Sequence, residues 1–131
     1  MPQKMLEAFK PVVKIENEPY CRFKTLLNVV NSGKSKLVRH LNSLDDLQIK
    51  LEIGEKKDPA LSTKLDACKT TKSNLDSYMA DLKKNLLLWG AITPKDTVEQ
   101  ETIDEVKTTG DTMIGMDSTL KDAISDYRKF A

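Results

Sequence analysis

Phe23, Val30, Leu37, Leu44 and Leu51 are spaced by sevens, with Leu26 and Leu47 at companion positions, and together they draw an apolar line along the chain. A second line follows. Leu61, Leu65, Cys68, Leu75, Met79, Leu82, Leu86 and Trp89 alternate in steps of three and four, with Lys72 as the interruption. This spacing keeps one face of a long helix apolar and turns it toward another helix. Two such faces of comparable length require helices lying side by side. They specify an architecture and no chemistry.

Local signals set the expected boundaries. Pro19 suits a first helical turn, where its missing N–H costs nothing, so the first helix is expected over 19–53. Gly54 would supply the left-handed residue that closes it. Asp58 as N-cap and Pro59 at the first helical position open a second helix over 59–89, with Gly90 as its closing cap. Thr93-Pro94-Lys95-Asp96, a cap followed by proline and an acidic third residue, opens a third helix over 94–130. Its expected apolar positions are Val98, Ile103, Val106, Met113, Ile114, Met116, Leu120, Ile124, Tyr127 and Phe130. That pattern is less regular, and Gly110 and Gly115 each cost about 1 kcal/mol relative to alanine in a helix.

Helices bounded in this way are roughly 46–55 Å long at about 1.5 Å per residue. Connectors of about four residues force antiparallel neighbours. The expected fold is all-α, an antiparallel up-down-up three-helix bundle formed by residues 19–131. Residues 1–18 form a short N-terminal leader packing on it, with Met5, Leu6 and Phe9 on one face of a short helix ended near Pro11. Val12, Val13 and Ile15 then read as extended chain.

Charge is segregated along the chain although the total is only +1. Residues 1–40 carry eight Lys+Arg against three acids, and residues 91–131 carry five against nine. A basic face could meet nucleic acid or an anionic membrane through Arg22, Lys24, Lys34, Lys36 and Arg39. Internal neutralisation is the preferred reading, because no run of adjacent basic residues exceeds two and the topology puts the first helix beside the acidic third. Cys21 and Cys68 are too few for a disulfide scaffold and should lie roughly 34 Å apart along the hairpin at helical rise, far beyond bonding reach. With no secretory apolar segment and no span-length apolar run, a reducing, cytoplasmic compartment is expected.

Candidate chemistry is sparse. Asn28 to Ser35 reads N-V-V-N-S-G-K-S, which differs from the phosphate-binding loop G-x-x-x-x-G-K-[ST] at the first glycine. That glycine lets the backbone wrap phosphate, and here the stretch lies inside a heptad line rather than after a strand. Gly33 reads instead as a thin spot where a large neighbour packs close. His40 is the only histidine, so any Ser-His or Cys-His pair must use it, and its seam position favours packing. No His/Cys/carboxylate spacing suits a metal. No catalytic, cofactor or metal role is therefore assigned to any residue.

Two features remain. Leu86-Leu87-Leu88-Trp89 is too apolar for one helix to bury whole, so Leu87, Leu88 and Trp89 are the expected partner-binding residues, with Leu87 or Leu88 the most exposed. His40, Lys72 and Asp111 are expected to form a structural polar layer. Pairing Ile53 with Pro59 brings His40 level with Lys72, and pairing Trp89 with Pro94 brings Lys72 level with Asp111. The expected function is a non-catalytic protein–protein interaction or assembly module, acting on a protein partner or a second copy through helix faces. The alternatives are a nucleic-acid-associated structural protein using the basic first helix, or a lipid-binding bundle.

Overall fold

A computed structural model of the protein describes residues 17–130. Three helices run up, down and up: α1 (Glu18–Lys57), α2 (Ser62–Gly90) and α3 (Gln100–Tyr127), with a short 3-10 turn, Pro59–Leu61, leading into α2. The bundle expected from the sequence is present. α1 packs along both partners, whereas α2 and α3 approach each other less closely. The expected leader lies outside the described residues up to residue 16.

The line of sevens is the centre of the core. Phe23, Val30, Leu37, Leu44 and Leu51 are all 0% exposed. Each such side chain, fully buried, contributes about 1.5–3 kcal/mol. From α2 come Leu65, Cys68, Leu75, Leu82 and Trp89. From α3 come Ile103, Val106, Gly110, Met113, Leu120 and Ile124, completing a single cluster that also takes in Val98 from the preceding loop. The seam of α3 is in fact regular, stepping by three and four through Ile103, Val106, Gly110, Met113, Asp117, Leu120, Ile124 and Tyr127. Gly110 and Asp117 occupy two of its positions and interrupt the apolar pattern without interrupting the seam. Ile114, expected in the core, lies one residue off this seam and is 64% exposed.

Both glycines expected to close helices are helical instead, and no described glycine has a positive φ. α1 runs through Gly54, where a Cβ would come within 2.9 Å of Leu61 Cδ1, so the residue permits close approach rather than ending the helix. Asp58 does end it, in an extended conformation, and its carboxylate accepts from the Ala60 N–H at 3.1 Å. Gly90 is the last residue of α2, and the chain leaves through Ala91 in a right-handed conformation.

The third helix begins later than expected. Asp96 Oδ2 accepts from the Thr93 N–H (2.6 Å) and hydroxyl (3.1 Å), and the Asp96 N–H donates to the Thr93 carbonyl at 2.9 Å. The cap-like motif thus closes on itself as a turn. The chain then buries Val98 before turning helical at Gln100. Asn17, in a left-handed conformation that asparagine tolerates, ties this loop to the start of α1. Its Oδ1 accepts from the Tyr20 N–H at 3.3 Å, while its Nδ2 donates to the Pro94 carbonyl and, at 3.1 Å, to that of Asp96.

Candidate functional site

The longer second connector shifts the register of α3 and rearranges the expected polar layer. His40 Nε2 lies 2.6 Å from Asp117 Oδ1, not beside Asp111, which is exposed. Lys72 reaches Asp45 on α1 at 2.5 Å. The three residues expected together are therefore separate, and a histidine–carboxylate hydrogen bond and a lysine–carboxylate ion pair stand in their place. Asp117 also meets Lys121 at 3.3 Å. The hydrogen bond from His40, aided by Lys121, holds the Asp117 carboxyl below the usual carboxylate range. The contact with Asp45 raises the Lys72 ammonium above its ordinary value. Helical spacing carried the signal for Asp117, since it sits on the α3 seam at the height of His40 on the α1 seam.

Of the five basic residues singled out on the first helix, two are brought together. Arg22 is taken by Glu18 one turn earlier, with Nε–Oε1 at 3.0 Å and Nη2–Oε2 at 2.9 Å. Lys34 lies two residues from Lys36, hence on nearly the opposite side of the helix, and Lys24 is exposed several turns away. Lys36 and Arg39 join Lys121 of α3 around a recess of about 230 Å³ above His40 and Asp117. This recess continues into an apolar groove of about 350 Å³ between α1 and α3, floored by Gly33, Gly110 and Met113 and rimmed by Val29 and Ile114. Gly33 is the thin spot expected: a Cβ there would meet Met113 Cε at 3.1 Å and Met113 Cβ at 3.2 Å. The N-V-V-N-S-G-K-S segment lies wholly within α1, so its backbone amides are spent in the helix.

The end of α2 presents the other surface. Four successive helical residues point around most of the helix circumference, so they cannot share one environment. Trp89 turns inward at 6% exposure and belongs to the core, which removes it from the partner-binding surface expected of it. Leu86 is half-buried. Leu87 and Leu88 are both 70% exposed, the highest values among the large hydrophobic side chains of the described residues. A cleft of about 760 Å³ opens between α2 and α3, lined by Asn85 and Trp89 on one side and by Glu101, Asp104 and Glu105 on the other. These acids stand in the first turns of α3, where the helix dipole favours negative charge.

Among the described residues no group of three His, Cys, Asp or Glu side chains is placed to hold a metal ion. No described helix is long and apolar enough to cross a membrane. Cys21 and Cys68 are free thiols, the first exposed and the second buried. Cys68 donates to the Leu44 carbonyl at 3.7 Å, and burial pushes its thiol pKa up. No family model, curated protein or solved structure matches the chain.

Proposed function

We propose that this bundle is a non-catalytic interaction and assembly module whose contact surface is centred on the end of α2. The observation that carries the reading is the pair Leu87–Leu88, two adjacent large aliphatics at 70% exposure on a bundle whose seams are otherwise filled. Exposed apolar groups of this kind mark contact sites, because covering them releases ordered water without disturbing the core. The partner is a protein surface, a second copy of the chain included. A nucleic-acid reading has less support: Arg22 is engaged by Glu18, and Lys24 and Lys34 stand apart from Lys36 and Arg39.

Sedimentation of the purified chain over a wide concentration range tests the proposal. The wild-type mass should rise with concentration, and the double substitution Leu87→Lys/Leu88→Lys should stay monomeric with an unchanged melting curve. Unfolding of the variant would make these leucines core residues. Unchanged association would place the contact elsewhere. Either result defeats the proposal.

A further inference from the structure

Among the described residues, the two flanks of α3 set exposed apolar side chains near charge of opposite sign. Between α1 and α3, Val29 at 44% exposure and Ile114 at 64% rim the apolar groove. Its adjoining recess carries Lys36, Arg39 and Lys121. Asp117 is the one carboxylate in either lining, and His40 and Lys121 already hold it. No α2 residue reaches this face. On the other flank of α3, Asn85 lines the cleft walled by Glu101, Asp104 and Glu105, and exposed Leu88 follows Asn85 by one helical turn. Among the described residues, neither Lys36 and Arg39 nor these three acids make an ion pair.

We infer that a second copy of the chain docks its acidic, leucine-bearing end into the basic apolar groove of the first. The inference rests on the assembly reading above and gives it a geometry. The two surfaces flank α3 on opposite sides, so one molecule cannot satisfy its own pair. The contact is head-to-tail and leaves one surface of each kind free at the ends, ready to repeat.

Charge decides between this and a symmetric contact. Two copies meeting leucine to leucine would bring their Glu101–Glu105 clusters together, and like charges across an interface are repelled. The head-to-tail arrangement sets those carboxylates against Lys36, Arg39 and Lys121, and complementary potentials fix register and steer encounter. Val29 and Ile114 then cover Leu88 and remove apolar surface from water on both sides. A second copy suits both surfaces because each half of the match is on this chain. The total charge of +1 is the near-cancellation of a basic first segment and an acidic last one.

Two charge-reversed full-length variants test the contact: Lys36→Glu/Arg39→Glu, and Glu101→Lys/Glu105→Lys. All four sites are exposed, and circular dichroism checks the fold. In sedimentation velocity the wild type should associate with concentration and less so at high salt, while each variant alone associates at least about tenfold more weakly. An equimolar mixture of the two should regain association. The intact acidic end of one variant meets the intact groove of the other, and the two reversed surfaces also match. Should reversal beside Asp117 lower the melting temperature, the neutral pair Lys36→Gln/Arg39→Gln must still weaken association. If either reversed variant associates like wild type, or the mixture fails to recover, the head-to-tail contact is wrong. Loss of association in Leu88→Lys with unaffected charge variants would retain the assembly reading and reject this geometry. A wild type that stays monomeric at every concentration rejects this contact and leaves the proposed surface only a different protein as its partner.

Discussion

The same substitution at two helical glycines should have opposite effects, because the two differ in what a methyl group would meet. Gly115 is exposed on α3 and a Cβ there has nothing within 4 Å. Gly115→Ala therefore collects the helix propensity difference alone, about 1 kcal/mol of stabilisation. In a chain of this size that raises the melting temperature by roughly 4 °C. Gly33→Ala collects the same gain but drives a methyl toward Met113, whose Cβ would be 3.2 Å away and whose side chain is 1% exposed. The Cβ of Met113 cannot swing aside, so relief requires α3 itself to move. Overpacking of this kind costs about 1–3 kcal/mol, leaving a net loss of up to about 2 kcal/mol. The two variants should differ by about 1–3 kcal/mol in urea denaturation followed by circular dichroism and by the buried Trp89. In a Met113→Ala background the 3.1 Å contact with Cε is gone while the 3.2 Å contact with Cβ stays, so the penalty on Gly33→Ala should shrink without vanishing. If Gly33→Ala stabilises the wild type as much as Gly115→Ala does, glycine does not set the α1–α3 separation, and the packing account of the groove floor fails.

Two further outcomes follow from the polar and thiol groups. Asp117→Ala should destabilise the fold by about 1 kcal/mol after solvent screening is allowed for, whereas Asp111→Ala should change it by less than about 0.5 kcal/mol. Because the folded-state Asp117 pKa is depressed, its contribution is full above the ordinary carboxylate range and disappears as pH falls through the folded value. Melts of wild type and Asp117→Ala should therefore converge in acid, and a gap that widens there would contradict the His40 contact. A thiol reagent should label one cysteine, Cys21, in the folded chain and both in denaturant; rapid native labelling of Cys68 would mean that the α1–α2 seam opens.

The parts of this fold that are legible in the sequence are those set by repetition. Lines of apolar residues at spacings of three, four and seven force a helical seam whatever the loops do, so most α1 and α2 core positions follow from the sequence, although Leu27 is buried rather than the expected Leu26. Termini depend on competition between local signals. Thr93 through Asp96 has every cap-like feature, yet its hydrogen bonds can be satisfied within a turn, and burying Val98 takes the chain past it. Gly54 is the same lesson at the other turn: a glycine that could close a helix serves instead to let Leu61 approach. The longer connector shifts α3 by more than a turn from the register its cap-like motif implies, so His40 meets Asp117 rather than Asp111. The exposed leucines were legible because no helix can turn Leu86 through Trp89 to one side. The basic recess was not, since Lys121 joins Lys36 and Arg39 only once α1 and α3 are set in their true register.

That register is fixed by unlike pairs rather than by the apolar seam, and this matters for assembly. Along α1 the positions three residues after each line-of-sevens member hold Leu26, Gly33, His40, Leu47 and Gly54. Gly33 receives Met113, and His40 receives Asp117. Sliding α3 by one heptad would preserve most apolar contacts while setting Asp117 beside Gly33 or Leu47, and Met113 beside Leu26 or His40. The displaced carboxylate would be half-buried without its partner, which is costly, and a methionine would compete with an imidazole or a second large side chain. Polar seam positions in coiled coils choose register in this way, at some expense in stability. Here the choice sets Ile114 beside Val29 and Lys121 beside Lys36 and Arg39, so the groove exists only in the native register. It also fixes how far the Glu101–Glu105 end of α3 lies from Lys36 and Arg39 on α1. A head-to-tail contact needs that distance to be constant from copy to copy, and the His40–Asp117 pair is what holds it.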